Sequence, residues 1–314
     1  MPERRLLLLA LGLVLLCAVY LGWGLRAPYG FILSLRVTKL AALVVTGLAV
    51  GAATILFQTV AANRLLTPGI VGFDSLFVFI QTTLVLTLGA AGFASLPGLA
   101  QFAAETACLM IAGLVIFGTL FLRGSGDLLR MILTGVILGV FLRGLSSFAG
   151  RLLEPSEFAI VQQASVASFG AVDRTELAVA ACVLVLALAA ALRLAPALDA
   201  AALGRMTARG IGLDHDRVAM AALALVTLCV ALTTALVGPV AFLGLLAASL
   251  AHAALGTWRH RLLIPASGLI GAMILVAGQT VFERVLGLQS ALAIVVEFAG
   301  GLLFLTLVLR RPAR

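Results

Sequence analysis

Long apolar runs, broken by charges or by proline and glycine, follow one another along almost the whole chain. Each run is close to the ~20 apolar residues that a helix needs to cross the hydrocarbon core of a bilayer. The pattern therefore predicts an all-α polytopic membrane protein with about ten transmembrane helices. We place the spans at residues 6–25, 37–61, 70–90, 100–121, 127–148, 176–195, 217–237, 240–256, 262–282 and 290–310.

Two polar segments interrupt this series of spans. The segment 151–174 contains a Glu-Pro-Ser-Glu sequence followed by an amphipathic stretch, which predicts a short surface helix at about 155–170. The segment 199–217 is the most charged part of the chain and is too polar to span a membrane. The eighth span is short and joins the seventh through Gly238 and Pro239, so we expect it to be tilted or broken.

The charges in the loops predict the orientation of the spans. With ten spans and an N-terminus inside, 14 of the 21 Lys and Arg residues fall in inner loops and 7 fall in outer loops. Cytoplasmic loops carry an excess of positive residues. We therefore expect both termini in the cytoplasm, the segment 199–217 inside, and the short helix at 155–170 outside. The first run, 6–25, is interpreted as a retained helix because no signal-peptide cleavage site follows it.

The composition excludes several classes of protein. Of the 314 residues, 63% are apolar and 11% are charged. Soluble domains are nearer 45–50% apolar and ~25% charged, so a soluble enzyme is excluded and residues 1–314 are interpreted as one transmembrane domain. We attribute the net charge of +8 to topology-setting arginines rather than to nucleic-acid binding. Lys39 is the only lysine and lies outside any Gly-Lys-Ser/Thr sequence, so the chain has no Walker A loop.

Residues that could carry chemistry are few and scattered. The four cysteines lie inside apolar runs, and the three histidines form no ligand pair at helical spacing. We therefore expect no catalytic residue, no metal site and no cofactor. Among the intramembrane acids, Asp74 could cap a helix start or line a cavity, and Glu105 and Glu297 could line a wet cavity. No Arg or His is expected beside them at mid-depth, which argues against a proton relay.

Small residues recur at helical spacing in two places. Gly47 and Gly51 form one pair, and Gly135 and Gly139 form the other. Such pairs let helix backbones approach closely, so we interpret both as packing sites, with a gating hinge as the alternative.

The segment from Leu203 to Asp214 is the strongest local feature. It combines arginines with apolar residues at helical spacing, and glycines at 210 and 212 interrupt it. Glycine adopts backbone conformations that other residues resist, so the segment suits two short helices at the membrane surface that present a knob to a soluble partner. A plain connector between two spans is the alternative.

Several motifs occur in the order and register of one transport family. They are Leu35-Arg36-Val37-Thr38-Lys39-Leu40, Phe57-Gln58-Thr59, the run from Asn63 to Gly72, Gly238-Pro239-Val240-Ala241-Phe242-Leu243-Gly244-Leu245, His260-Arg261-Leu262-Leu263-Ile264-Pro265 and Gly300-Gly301. From about residue 30 to 311 the chain resembles the FecCD-type ABC transporter permeases, which import ferric siderophores, haem and cobalamin. The stretch 158–169 is similar to a siderophore-uptake subgroup whose members often work beside a second, different permease.

The resemblance implies a transport mechanism without covalent chemistry. Such permeases of the bacterial inner membrane have ten helices and pair around a central path. Two ATPase subunits bind inside, and a binding protein delivers the substrate outside. The chelate keeps its own iron ligands. An ion-coupled secondary transporter of a small solute is the alternative; it would show inverted repeats and acids paired with cations, and the sequence shows neither.

The resemblance also implies roles for individual residues. The expected ATPase-coupling residues are Leu203, Gly204, Arg205, Arg209, Gly210, Ile211, Gly212 and Leu213. The expected binding-protein docking residues are Arg36, Lys39 and Arg284, with solvated surface residues as the alternative reading. The candidate pathway or gate residues are Gln58, Asp74 and Pro239. Departures from the family pattern at Thr38, Asp74 and 248–252 leave the gate, and the choice between homodimer and heterodimer, open.

Overall fold

The computed structural model describes residues 2–24, 28–123, 128–287 and 292–309. These ranges contain twelve helices and no strand. The all-α prediction is therefore confirmed. In chain order the helices are α1 (Pro2–Gly22), α2 (Tyr29–Val60), α3 (Phe73–Ala94), α4 (Gly98–Arg123), α5 (Leu128–Gly150), α6 (Pro155–Ala164), α7 (Arg174–Ala201), α8 (Arg205–Gly210), α9 (His215–Val237), α10 (Leu243–Leu255), α11 (His260–Arg284) and α12 (Leu292–Leu309).

Each of the ten apolar runs overlaps one of the longer helices. Within the described ranges, 8 helices are long and apolar enough to cross a membrane, namely α1, α2, α3, α4, α5, α7, α9 and α11. The other two, α10 and the part of α12 from Ala293 to Thr306, are apolar but shorter. A topology of ten spans, with both termini inside, therefore stays a prediction.

Two long helices extend beyond the boundaries expected from the sequence. The helix α2 begins at Tyr29 rather than near residue 37. The helix α7 continues past Pro196 to Ala201, although the sequence indicated an end near 195. Its neighbours Ala195 and Leu198 are fully buried, so packing holds the helical backbone past a proline that removes one hydrogen bond. The short helix expected at 155–170 is present as α6 and ends earlier.

The first glycine pair lies where α2 and α11 cross with their backbones almost in contact. A Cβ atom on Gly47 would lie 2.2 Å from the backbone nitrogen of Ala272, and one on Gly51 would lie 2.3 Å from the carbonyl oxygen of Ser267. The Ser267 hydroxyl also donates to the Gly51 carbonyl at 2.9 Å. The packing interpretation of this pair is confirmed, and α2 and α11 form the centre of the described bundle.

The second glycine pair, on α5, packs against the turn that precedes α3. A Cβ atom on Gly135 would lie 2.2 Å from Val71 Cγ1, and one on Gly139 would lie 3.1 Å from the Cα of Gly72. This contact between α5 and the start of α3 is the second confirmed packing site. It also determines where Asp74, in the first turn of α3, is placed.

Candidate functional site

Ion pairs join the short helix α8 to the first turn of α9. Asp216, in the first turn of α9, accepts hydrogen bonds from Arg205 Nε at 3.1 Å, Arg205 Nη2 at 2.7 Å and Arg209 Nη2 at 2.7 Å. The hydrogen bonds with Asp216 raise the pKa of Arg205 above its ordinary value. A planar guanidinium bound through two nitrogens to one carboxylate has a defined orientation, so α8 is held at a defined angle on α9.

The other side of α8 is apolar and open to solvent. Met206 is 83% exposed, and Leu203 and Ile211 on either side of the helix are exposed as well. Ala208 is fully buried, and its carbonyl accepts a hydrogen bond from the Leu213 amide at 3.0 Å. The segment therefore presents apolar side chains outward from a fixed base, which is an arrangement typical of a contact with another protein.

The expectation of two short helices broken at Gly210 and Gly212 is wrong in part. One short helix is present, and α9 follows it directly. Gly210 is the last residue of α8, and no left-handed φ is found there. Gly204, with a φ of 94°, and Gly212, with a φ of 85°, have the backbone conformations that favour glycine. One break precedes α8 at Gly204 and the other follows it at Gly212, as expected, whereas Gly210 continues the helix.

Arg36 is a buried residue that holds the end of α1. Its side chain is 8% exposed and donates to the carbonyl oxygens of Leu21 at 2.9 Å, Trp23 at 2.9 Å and Gly24 at 2.8 Å. The last carbonyls of a helix have no partner within the helix, so a buried guanidinium is a suitable donor for them. This contact gives Arg36 a structural role, and its part in docking stays a prediction.

Lys39 and Arg284 meet around a carboxylate that sequence reasoning missed. Glu283 accepts from Lys39 Nζ at 2.5 Å, from Gln279 Nε2 at 2.7 Å and from the Tyr20 hydroxyl at 3.3 Å. Arg284 lies 4.0 Å from the same carboxylate. The side chains of Lys39 and Arg284 are 21% and 20% exposed, so both remain partly accessible. Lys39 of α2 and Arg284 of α11 thus share Glu283 as a partner, and Tyr20 of α1 reaches the same carboxylate.

Asp74 lies in a pocket and does not cap its helix. The N-cap residue of α3 is Gly72, and no side chain makes a capping bond there, so the capping hypothesis is wrong. Arg143 of α5 donates to the hydroxyl of Ser75 at 3.4 Å, which places a cation next to the acid. An arginine therefore lies beside Asp74, and the expectation that none does so at mid-depth of the membrane stays a prediction. Four threonines line the pocket together with Asp74: Thr54, Thr67, Thr233 and Thr234.

The other candidate pathway residues are not assembled with Asp74. Gln58 is buried, and its amide donates to the Arg64 carbonyl at 2.6 Å. Pro239 lies between α9 and α10, and its neighbours Gly238 and Val240 reach the pocket of Asp74. Glu105 is buried and accepts from Gln101 at 2.9 Å.

No group of three or more His, Cys, Asp or Glu residues that could hold a metal ion occurs in the described ranges. The four cysteines are free thiols.

Comparison with known proteins identifies similar chains across nearly the whole sequence. The family model described as the FecCD transport family matches residues 12–310. The petrobactin import system permease protein YclO of Bacillus subtilis (strain 168) is 34% identical over 311 residues, which cover 99% of this chain and 98% of YclO. The corresponding protein FatC of Bacillus anthracis is 30% identical over 88% of this chain and 78% of FatC.

Two further comparisons extend the similarity. The ferric enterobactin transport system permease protein FepD of Escherichia coli (strain K12) is 30% identical over 89% of this chain and 82% of FepD. A solved inward-facing structure assigned to the metal-chelate type of ABC transporter superposes with a TM-score of 0.83 at 22% identity, covering 99% of this chain and 100% of that chain. At this identity the superposition establishes the fold.

Proposed function

The chain belongs to the FecCD transport family, and from that membership we propose that it is the permease subunit of an ABC importer for a ferric siderophore in the bacterial inner membrane. Similarity over nearly its whole length to a petrobactin permease is the observation that carries the proposal. Two ATPase subunits hydrolyse ATP inside, a second permease completes the path, and a binding protein delivers the chelate outside. The permease itself performs no covalent reaction.

The shape of α8 supports an ATPase contact at Leu203–Leu213. An ATPase groove needs an apolar knob to bind and a rigid connection through which to move the permease. Exposed Met206 and its apolar neighbours supply the knob, and the bonds from Arg205 and Arg209 to Asp216 supply the connection. A flexible connector would need neither feature.

The cluster around Glu283 supports docking of an acidic partner outside. Lys39 and Arg284 are both partly exposed, and Arg36 is buried and holds the end of α1. Carboxylates on a binding protein would compete with Glu283 for Lys39, so the attraction should be strong at low salt and weak at high salt.

The orientation of the permease is part of the proposal. Cysteine labelling of intact cells should modify a thiol introduced by Pro155→Cys, in α6, and should spare one introduced by Arg209→Cys, in α8. The opposite pattern would place α8 outside and would contradict its role as the ATPase contact. Labelling of both thiols in permeabilised cells is the control for their accessibility.

Uptake into proteoliposomes tests the function itself. The complex of this chain with its second permease and its ATPase should accumulate ⁵⁵Fe-labelled ferric petrobactin when ATP is enclosed with the ATPase and loaded binding protein is present on the other side. Cyanocobalamin should not compete. Accumulation that needs no ATP and is abolished by a protonophore would favour an ion-coupled carrier instead, and would give the pair of Asp74 and Arg143 a role in coupling.

A further inference from the structure

A buried histidine joins three helices at the end of the bundle that leads into α8. His260, the first residue of α11, is 4% exposed. Its backbone N–H and its Nδ1 lie 2.8 Å and 2.6 Å from Asp199 Oδ1, in the last turn of α7. Its Nε2 lies 2.6 Å from Thr59 Oγ1, in the last turn of α2. A single side chain therefore connects α2, α7 and α11.

The donors and acceptors around the His260 ring determine which of its nitrogens is protonated. A carboxylate only accepts, so Nδ1 must carry a hydrogen and donate it to Asp199. Thr59 can give its hydroxyl hydrogen to the Ile55 carbonyl, at 2.8 Å, and accept from Nε2, or it can donate to Nε2. Nδ1 is protonated in both arrangements. Asp199 therefore determines the orientation of the ring, and the ring in turn reaches Thr59.

The bond to Thr59 is more than a helix cap. Asp199 alone satisfies the free backbone N–H at the start of α11, which is the ordinary task of an N-cap acceptor. The contact between the ring and Thr59 adds a link to α2 that the cap does not require. Capping of α11 therefore does not explain the contact between His260 and Thr59, whereas a connection of α2 to α7 and α11 does.

The three linked helix ends lie at the base of the ATPase contact. Only the short stretch Ala200–Gly204 separates Asp199 from α8, which packs against α7 and α9. The helix α8 thus has two connections to the membrane helices. Asp216 joins it to α9, and the end of α7 joins it, through Asp199 and His260, to α11 and α2.

We propose that His260 is a positioning residue for energy coupling, which holds the ends of α2, α7 and α11 together so that a displacement of α8 moves the three helices as one unit. The inference rests on the proposed function. His260 acts through Asp199 and Thr59, and its removal should uncouple transport from ATP hydrolysis rather than prevent assembly.

The test uses variants of Thr59 in the complete complex in proteoliposomes. Thr59→Val removes the hydroxyl and keeps the shape, so it breaks the link to α2 and leaves Asp199 and His260 in place. Thr83→Val is the matched control, because Thr83 makes the same bond to a carbonyl four residues earlier, at 2.7 Å, but is exposed on α3. Loss of one hydrogen bond should lower ferric petrobactin uptake per ATP hydrolysed about tenfold in Thr59→Val. Thr59→Ser and Thr83→Val should stay close to the wild type.

A second pair of variants separates coupling from stability. Asp199→Asn should lose the response of ATP hydrolysis to loaded binding protein. Asp173→Asn, the same change at the other end of α7, should keep it, because Asn caps a helix as well as Asp does. If Thr59→Val and Asp199→Asn lower only the thermal midpoint and transport normally, the inference is wrong and His260 is a structural residue.

Nitrogen NMR on the ring provides a readout that does not depend on transport. In protein labelled with ¹⁵N-histidine, the His260 signal, assigned by its loss in His260→Gln, should show a protonated Nδ1. An Nδ1 atom without a hydrogen would contradict the proposed geometry. A wild-type complex that hydrolyses ATP but moves no ferric siderophore would contradict the proposed function alone. The coupling role of His260 would then be decided by the ATPase response of the variants.

Discussion

Replacing Gly212 by valine should uncouple the ATPase contact while leaving the permease able to insert and assemble. Gly212 follows α8 with a φ of 85°, and a Cβ atom there would meet nothing within 4 Å. The added Cβ atom therefore creates no steric overlap, and the substitution acts through the backbone conformation. The next residue, Leu213, closes the turn by donating to the Ala208 carbonyl at 3.0 Å. A change of backbone conformation at Gly212 should break this bond and release α8 from its fixed angle.

The size of the effect follows from the backbone conformation. An L-residue in the left-handed region costs about 1–2 kcal/mol, and a β-branched residue is a genuine outlier there. A cost of about 2 kcal/mol changes the ratio between the observed turn and its alternatives about 30-fold. Gly212→Asn should cost much less, because Asn visits this region routinely. Gly210→Val should be mild, because Gly210 has a helical backbone and open space around it, and valine is a better helix former than glycine.

The assay is ATP hydrolysis by the reconstituted complex, with and without loaded binding protein. Gly212→Val should lose most of the stimulation and most of the uptake, whereas Gly212→Asn and Gly210→Val should keep both. Co-purification of the ATPase with each variant controls for assembly. Full coupling in Gly212→Val together with uncoupling in Gly210→Val would refute the argument, because it would mean that side-chain bulk in α8, and not the turn after it, controls the contact.

Two further predictions concern packing and docking. Gly47→Ala should lower the thermal midpoint of the purified permease, because its Cβ would lie 2.2 Å from the backbone of Ala272 and overpacking costs about 1–3 kcal/mol. Gly144→Ala, with nothing within 4 Å, should not lower it, and equal losses in both variants would contradict the assignment. Lys39→Gln should weaken binding-protein affinity at low salt and have little effect at high salt. Arg36→Gln should instead reduce stability, because it leaves three helix-end carbonyls without a donor; an unchanged affinity in Lys39→Gln would argue against docking there.

Apolar run length was sufficient to place the long helices, because a bilayer imposes both the length and the composition of whatever crosses it. Each predicted span overlaps a helix, and the short eighth span is present as the 13-residue helix α10. The two glycine pairs were also readable, because close approach of helices needs small residues at helical spacing. Where the boundaries were misplaced, as at Pro196, the burial of Ala195 and Leu198 overrode the local signal.

The candidate sites were readable only in part. The segment 203–213 was identified from its mixture of arginines and apolar residues, and the break at Gly212 was expected, but the backbone angles place the other break at Gly204 instead of Gly210. The cations expected to dock a partner were found together, yet Arg36 is buried against the end of α1. A charge at a span end looks the same in a sequence whether it faces water or a row of carbonyl oxygens.

The sequence by itself determined that the chain is helical, that it belongs in a membrane, and which charged segment contains the short helix α8. Only the tertiary structure decided the partners of its charged residues. Lys39 and Glu283 are 244 positions apart, and Thr59 and His260 are 201 positions apart. Periodicity describes which face a residue occupies within one helix, whereas a hydrogen bond between helices depends on how those helices cross. The crossing of α2 with α11, set by backbones in contact at Gly47 and Gly51, brings these distant pairs within bonding distance.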